Sequence, residues 1–287
     1  MDNQSKSMAT QSGETTHGYI SVNGLNMYYE IHGEGQPLVL LHGAFSAIGT
    51  SFGKILPELA TPALAGGARE SRQVIAFELQ GHGRTADIDR PMSLEGMADD
   101  VAEAIKLLGI EQADILGYSM GAGVALHLVI RHPEVVRKLV LASITYNMNG
   151  IQPGLMDGLA NMKPEMMFGS PWHEEYTLIA PHPEDFAKLF DKKTQMDRQI
   201  KDLPAETIQA IKAPALLILG DSDLVRPEHA VEMFRLLGGG VFGDTPAGLP
   251  NSQLAVLPGT SHVTLVDRVD WLVSMIDEFL DAPVKNA

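Results

Sequence analysis

The sequence predicts an α/β protein, a mostly parallel sheet flanked by helices, and three observations carry that prediction. Short continuous apolar runs recur at residues 38–41, 74–77, 113–116, 139–141 and 215–219, the pattern of strands covered on both faces. Amphipathic segments of helical period lie between them, so strand and helix alternate as right-handed crossovers require. The chain has 287 residues, enough for one large domain with an insertion.

The elements follow in order. Residues 1–16 are polar and lack both the basic and the apolar region of a secretory signal, so they read as a flexible tail. Alternating residues 20–22 and 25–31 surround Asn23-Gly24, a pair that tolerates positive φ at both turn positions, which predicts an antiparallel hairpin. Ser93 is placed to cap a helix over 94–108, in which Met97, Val101, Ile105 and Leu108 recur at helical spacing. Further helices are expected at 122–131, stopped by His132-Pro133, and at 227–237 and 269–280. Between 144 and 210 the alternation stops in a Met- and Pro-rich stretch with helical patterning, read as a helical cap inserted into a core of residues 17–143 and 211–287. The stretches 61–73 and 238–251 exceed a compact connection and are expected to be mobile surface loops.

Composition excludes several functions. A formal net charge of −15 opposes nucleic acid as a partner, because phosphate binding needs a basic footprint. With no cysteine, Cys-ligated metals, disulfides and thiol nucleophiles are ruled out. No HExxH spacing joins the histidines and no metal or cofactor is expected. Charge, Gly, His or Pro interrupts every apolar run before the ~20 residues of a spanning helix. The expectation is a cytoplasmic protein that meets a small-molecule substrate and no membrane, with homo-oligomerisation left open.

The chemical signal is Gly117-Tyr118-Ser119-Met120-Gly121, directly after the run 113–116 and before the helix near Ala122. By composition alone such a motif would arise in roughly one chain in seven, so its placement matters more than the match. A serine on a tight strand-to-helix turn is lifted above the sheet, with the helix N-terminus and a free Met120 N–H beside it. Serine is a weak nucleophile unless a histidine takes its proton and a carboxylate orients that histidine. His262, after the run 254–257, lies at the same carboxyl edge. His17 in the tail, His132 at a helix end and His127 in mid-helix are read as surface or packing residues, and His173, His182 and His229 sit in or near predicted cap or helix segments.

Gly220-Asp221-Ser222-Asp223 follows the strand 215–219 and offers two carboxylates. Asp221 suits a local turn bond, whereas Asp223 is better able to reach across the strand ends. The order Ser119, Asp223, His262 is that of neither the chymotrypsin nor the subtilisin class. His42-Gly43-Ala44-Phe45 closes the first parallel strand; Ala44 and Met120 amides would form an oxyanion hole, His42 would brace the loop, and Phe45 and Tyr118 would wall the pocket.

These motifs, together with Gly81-His82-Gly83-Arg84-Thr85, resemble the α/β-hydrolase superfamily, in particular its capped serine esterase and C–C hydrolase branch, over nearly the whole chain from His17 to Leu280. The resemblance implies an eight-stranded, mostly parallel sheet, a Ser119-His262-Asp223 triad and the oxyanion amides of Ala44 and Met120. Glu78 stands where similar proteins often carry aspartate, and the two long loops exceed the usual pattern. Serine rather than aspartate at position 119 sets the chain apart from haloalkane dehalogenases and epoxide hydrolases, which resemble this fold. The expected activity is hydrolysis of carboxylic esters or lactones of small to medium apolar substrates, under a lid drawn from Met148, Met156, Met162, Met166, Met167, Phe168 and Trp172. A C–C hydrolase of a diketone-type ring-cleavage product, a cofactor-free perhydrolase and a small-molecule receptor are the alternatives.

Overall fold

A computed structural model describes residues 15–61 and 70–284. Most of the expected tail, 1–14, and most of the first long loop, 62–69, lie outside the described residues. The tail boundary moves by one, because Thr16 already pairs with Ile31 in the first strand.

The chain runs β1 (Thr16–Val22), β2 (Leu25–His32), β3 (Gln36–Leu41), α1 (Ile48–Phe52), α2 (Leu56–Ala60), β4 (Arg72–Phe77), α3 (Leu94–Leu107), β5 (Ala113–Tyr118), α4 (Met120–Arg131) and β6 (Val136–Ala142). It continues through α5 (Leu155–Ala160), α6 (Pro171–Ile179), α7 (Phe186–Gln199), α8 (Ala205–Gln209), β7 (Ala215–Ser222), α9 (Pro227–Leu236), β8 (Gln253–Ser261) and α10 (Val269–Asp281). The eight strands form one sheet in the order β1-β2-β4-β3-β5-β6-β7-β8. Only β1 with β2 and β2 with β4 are antiparallel; every later pair is parallel.

The apolar runs are buried on both faces because helices cover both. Val39, Leu41, Ile115 and Leu139 share one core with α3 and α4, whereas Leu38, Leu40, Leu116 and Val140 pack with α1, α2 and α10. The hairpin forms around Asn23 (φ 47°) and Gly24 (φ 83°), and Ser93 Oγ caps α3 by accepting from Gly96 N. The short helices α1 and α2 were not legible as separate elements, since each is a five-residue piece with no room for a period. The segment 238–251 carries no helix or strand and exposes Phe242 and Leu249.

Buried charge ties the layers together. Lys138 on β6 donates to the carbonyls of Phe279 and Leu280, satisfying the C-terminal end of α10, where a cation is favoured. Arg72 bonds Asp277 and Asp281 on the same helix. The most constrained group is Glu78, fully buried after β4, which accepts from Arg84 Nη1 at 2.7 Å and from the Arg84 backbone N–H. A Cβ at Gly83 (φ 53°) would stand 2.4 Å from that carboxylate, so glycine is what lets the loop close over it.

Burial pushes the Glu78 pKa up to about 7 in spite of the arginine. A folded-state pKa above the unfolded one gives a contribution that is complete below the unfolded value and is lost as pH rises through the folded value. Glu78→Gln removes that titration, so its Tm is expected to fall by about 3 °C less than that of the parent between pH 5 and pH 8 in thermal unfolding. Equal losses in both proteins would show that Glu78 stays ionised throughout.

Candidate active site

Ser119 joins β5 to α4 at φ 54° and ψ −117°, a conformation that costs a non-glycine residue on the order of 1–3 kcal/mol. The neighbours make it accessible: a Cβ on Gly121 would lie 2.0 Å from the Leu41 carbonyl, and one on Gly117 2.3 Å from the Gly121 carbonyl. Three hydrogen bonds hold the turn, from Ser119 N to Ala142 O (2.9 Å) and to Ser119 O from Ala122 N (3.0 Å) and Gly123 N (3.1 Å).

His262 follows β8 and brings Nε2 to 3.0 Å from Ser119 Oγ, while its Nδ1 lies 2.9 Å from Asp223 Oδ1. An ionised carboxylate only accepts, so Nδ1 carries the proton and Nε2 presents a lone pair to the serine hydroxyl. Asp223 is buried beyond β7, and Ser143 Oγ, Gly220 N and Val225 N also donate to it. Burial alone would raise its pKa, but the bonds and charge from His262, with those of Ser143 and Gly220, outweigh that and hold it below the ordinary value. Asp221 instead accepts from Gly259 N (2.9 Å) and Thr260 N (3.1 Å), pinning the end of β7 to β8.

Ser143 was not found in the sequence, because a lone serine after a strand carries no motif. It has φ 57°, its N–H donates to Ile218 O, and its hydroxyl faces the acid. His42, fully buried, donates from Nδ1 to Gly43 O and accepts at Nε2 from Leu79 N, with its pKa lowered by burial to about 4. That is a loop brace. The Met120 N–H follows Ser119 directly at the head of α4, and neither it nor the Ala44 N–H has a backbone acceptor among the described residues.

Two substrate-wall expectations are corrected. Tyr118 has the parity of Leu116 on β5, so it points to the opposite side of the sheet from the cavity; its ring stacks on His262 at 5.3 Å and its hydroxyl donates to His262 O. It supports the histidine from behind. Phe45 (φ 61°) packs on Phe190 at 5.3 Å and against Phe186, both on α7, instead of lining the cavity.

The cavity at Ser119 measures about 180 Å³, and its walls are mainly apolar, with Met120, Leu126, Ile144, Met148, Met156 and Met196 prominent. Of the expected lid residues only Met148 and Met156 reach it; Met167 is buried in the cap, whereas Met166 and Phe168 are exposed. The reading of His127 as a packing residue is also revised, since it lines the far end, about two turns along α4 from Met120. Lys193 lines the cavity too, its Nζ 2.6 Å from Asp197 and 5.7 Å from the Phe45 ring centre. Arg84 is held by Glu78 and is not part of the cavity. Among the described residues no group of three or more His, Asp or Glu side chains is arranged to hold a metal ion.

Removing the Ser143 hydroxyl deletes one hydrogen bond to a buried charge, worth about 1.5–3 kcal/mol where the charge matters. Ser143→Ala is expected to lower kcat roughly tenfold or more at neutral pH, with KM changed less than twofold, in steady-state kinetics on whichever substrate the protein turns over. An unchanged kcat would mean that Asp223 is held adequately without it.

Comparisons with known proteins place this geometry. The chain is 27% identical over 276 residues to a 2-hydroxymuconate semialdehyde hydrolase of Pseudomonas putida, covering 86% of this chain and 88% of that one. It is 26% identical over 294 residues to the serine hydrolase BPHL of Mus musculus, covering 96% and 90%. Among solved structures, a serine hydrolase involved in carbazole degradation superposes with a TM-score of 0.71 at 20% identity, over 93% of this chain and 99% of that one. A family model described as the alpha/beta hydrolase fold matches residues 36–180, and the chain belongs to that family.

Proposed function

We propose that the protein is a serine hydrolase cleaving carboxylic esters or lactones of small to medium apolar substrates through an acyl-enzyme. The observation that carries this reading is the continuous relay from Asp223 through His262 to Ser119 Oγ, opening on a mainly apolar cavity. Ser119 Oγ attacks the carbonyl carbon while its proton passes to His262 Nε2, and the carbonyl electron pair moves onto oxygen, facing the Ala44 and Met120 amides. When that oxyanion collapses, the C–O bond to the alcohol breaks and His262 returns the proton to the departing oxygen. Water then repeats the sequence on the acyl group, giving the acid and free Ser119. Asp223 keeps the Nδ1–H in place and stabilises the imidazolium each time. Phe45 and Tyr118 act indirectly in this scheme, by seating the oxyanion loop and the histidine.

A second reading has an observation of its own. Lys193 puts a cation at the wall of the cavity, which suits a substrate with a carboxylate near the scissile bond, and one relative bears the name 2-hydroxymuconate semialdehyde hydrolase. There the same serine or an activated water adds to a ketone and the departing carbon takes the proton. The neutral ester is preferred because Lys193 is already closed on Asp197.

The test is initial hydrolysis of p-nitrophenyl esters from acetate to decanoate, with Ser119→Ala prepared alongside. Turnover that peaks at a short or medium chain and falls by at least about 10³-fold in the variant is expected. No turnover by folded parent protein, with cleavage of a vinylogous diketone acid instead, would replace the ester reading by the C–C one.

A further inference from the structure

One carboxylate of the cap reaches the core at a place the reaction scheme leaves unused. Glu175 on α6 accepts from Ala47 N and Thr50 N, each at 3.1 Å, and from the Thr50 hydroxyl. The segment it grips is the continuation of the oxyanion loop. Ser46 Oγ donates to Gly43 O, Gly43 N donates to Ser51 Oγ, and the two serine hydroxyls are 2.7 Å apart, so residues 43–51 move as one hydrogen-bonded unit with Ala44 inside it. Gly49 is exposed, and among the described residues beyond its own helix an added Cβ would meet the Glu175 carboxylate, 2.2 Å away at Oε1. The absence of a side chain there is what lets the carboxylate reach the amides.

We propose that Glu175 is a positioning residue for the oxyanion hole: by anchoring residues 47–50 to the cap it fixes where the Ala44 amide points, so that the hole is complete only when the cap is seated. The apolar contact of Phe45 with Phe190 is the second link between the same loop and the same cap, at the residue that follows Ala44 in the chain. An amide displaced by a few tenths of an ångström weakens its bond to an oxyanion far more than it disturbs apolar burial of a neutral ligand. The role rests on the acyl-transfer reading, in which negative charge appears on the carbonyl oxygen.

The experiment compares two ligands of the chain length selected by the ester panel. An alkyl trifluoromethyl ketone adds Ser119 Oγ and leaves an oxyanion; the matching alkyl methyl ketone fills the cavity without one. In Glu175→Ala the trifluoromethyl ketone is expected to bind about tenfold or more weakly and kcat to fall in parallel, with methyl ketone affinity and KM within twofold of the parent. Glu175→Gln, which keeps one acceptor oxygen, should recover part of the loss. Gly49→Ala, which adds only a methyl at an exposed helical position, should reproduce it and covers the case in which the glutamate variants do not fold. If both ligands weaken by the same factor, or neither does, Glu175 is merely structural and the proposal is overturned. A parent protein that does not bind the trifluoromethyl ketone at all would overturn the acyl-transfer reading, and this role with it.

Discussion

The architecture depends on a backbone contact. At the carboxyl end of β5 the chain turns into α4 so sharply that the peptide at Gly121 rests against the Leu41 carbonyl of β3, and Gly117 against Gly121. Any side chain at either glycine would push β3, β5 and α4 apart. The strained φ of Ser119 is the consequence, and the bonds to Ala142 O and from Ala122 N and Gly123 N are its compensation. From that contact the remaining geometry follows. It sets Met120 N at the open end of a helix, brings the end of β3 against that helix, and lifts Oγ to the edge where β7 and β8 also finish.

Every other component of the site is a loop at that edge held by a partner from elsewhere. His262 is braced by Tyr118 stacking behind it and by Asp223; Asp223 is braced by Ser143, just past β6; the loop after β3 is braced by Leu79 N, which donates to its His42, and by Glu175 of α6. This division of labour explains why several buried polar groups carry perturbed pKa values without touching a substrate. His82 is buried beside His42 and lowered to about 3, first by desolvation and then by the neighbouring histidine, and both rings are held neutral as spacers. Perturbation marks the skeleton of the site as well as its reacting groups, so it would be a poor guide to catalysis taken alone.

The fold was legible because parallel strands leave a one-dimensional trace. Asp114 apart, residues 38–41, 74–77, 113–116, 139–141 and 215–219 are apolar without alternation since both faces are covered, and each lies in a strand. Ser119 and His262 were legible for a related reason: their roles demand a place just past a strand, and that place can be counted along the chain. Asp223 was separable from Asp221 by reach. What could not be read depends on contacts between segments far apart in sequence. Glu175 meets Thr50 across 125 positions, Ser143 meets Asp223 across 80, and neither carries a local pattern. Closeness in sequence to the Met120 amide suggests a pocket wall for Tyr118, whereas strand parity turns its side chain the other way, and the turn at Ser119 ends that parity one residue later.

The inserted segment 144–210 contributes several walls of the cavity, and its chemistry is more balanced than its composition suggests. A Met-rich stretch in a chain of net charge −15 would favour a wholly apolar lid, yet α7 presents Lys193 and Asp197 to the cavity four residues apart. Side chains only 15% and 23% exposed are partly removed from water, so the pair is most stable closed on itself, and closed it offers a neutral wall. A neutral ester leaves that pair intact. An anionic substrate must draw Lys193 away from Asp197 and leave an acid facing the cavity, which costs more the drier the site becomes as the substrate fills it. In the proposed ester reading, the same lysine that makes an acidic substrate conceivable therefore counts, through its partner, on the side of a neutral one.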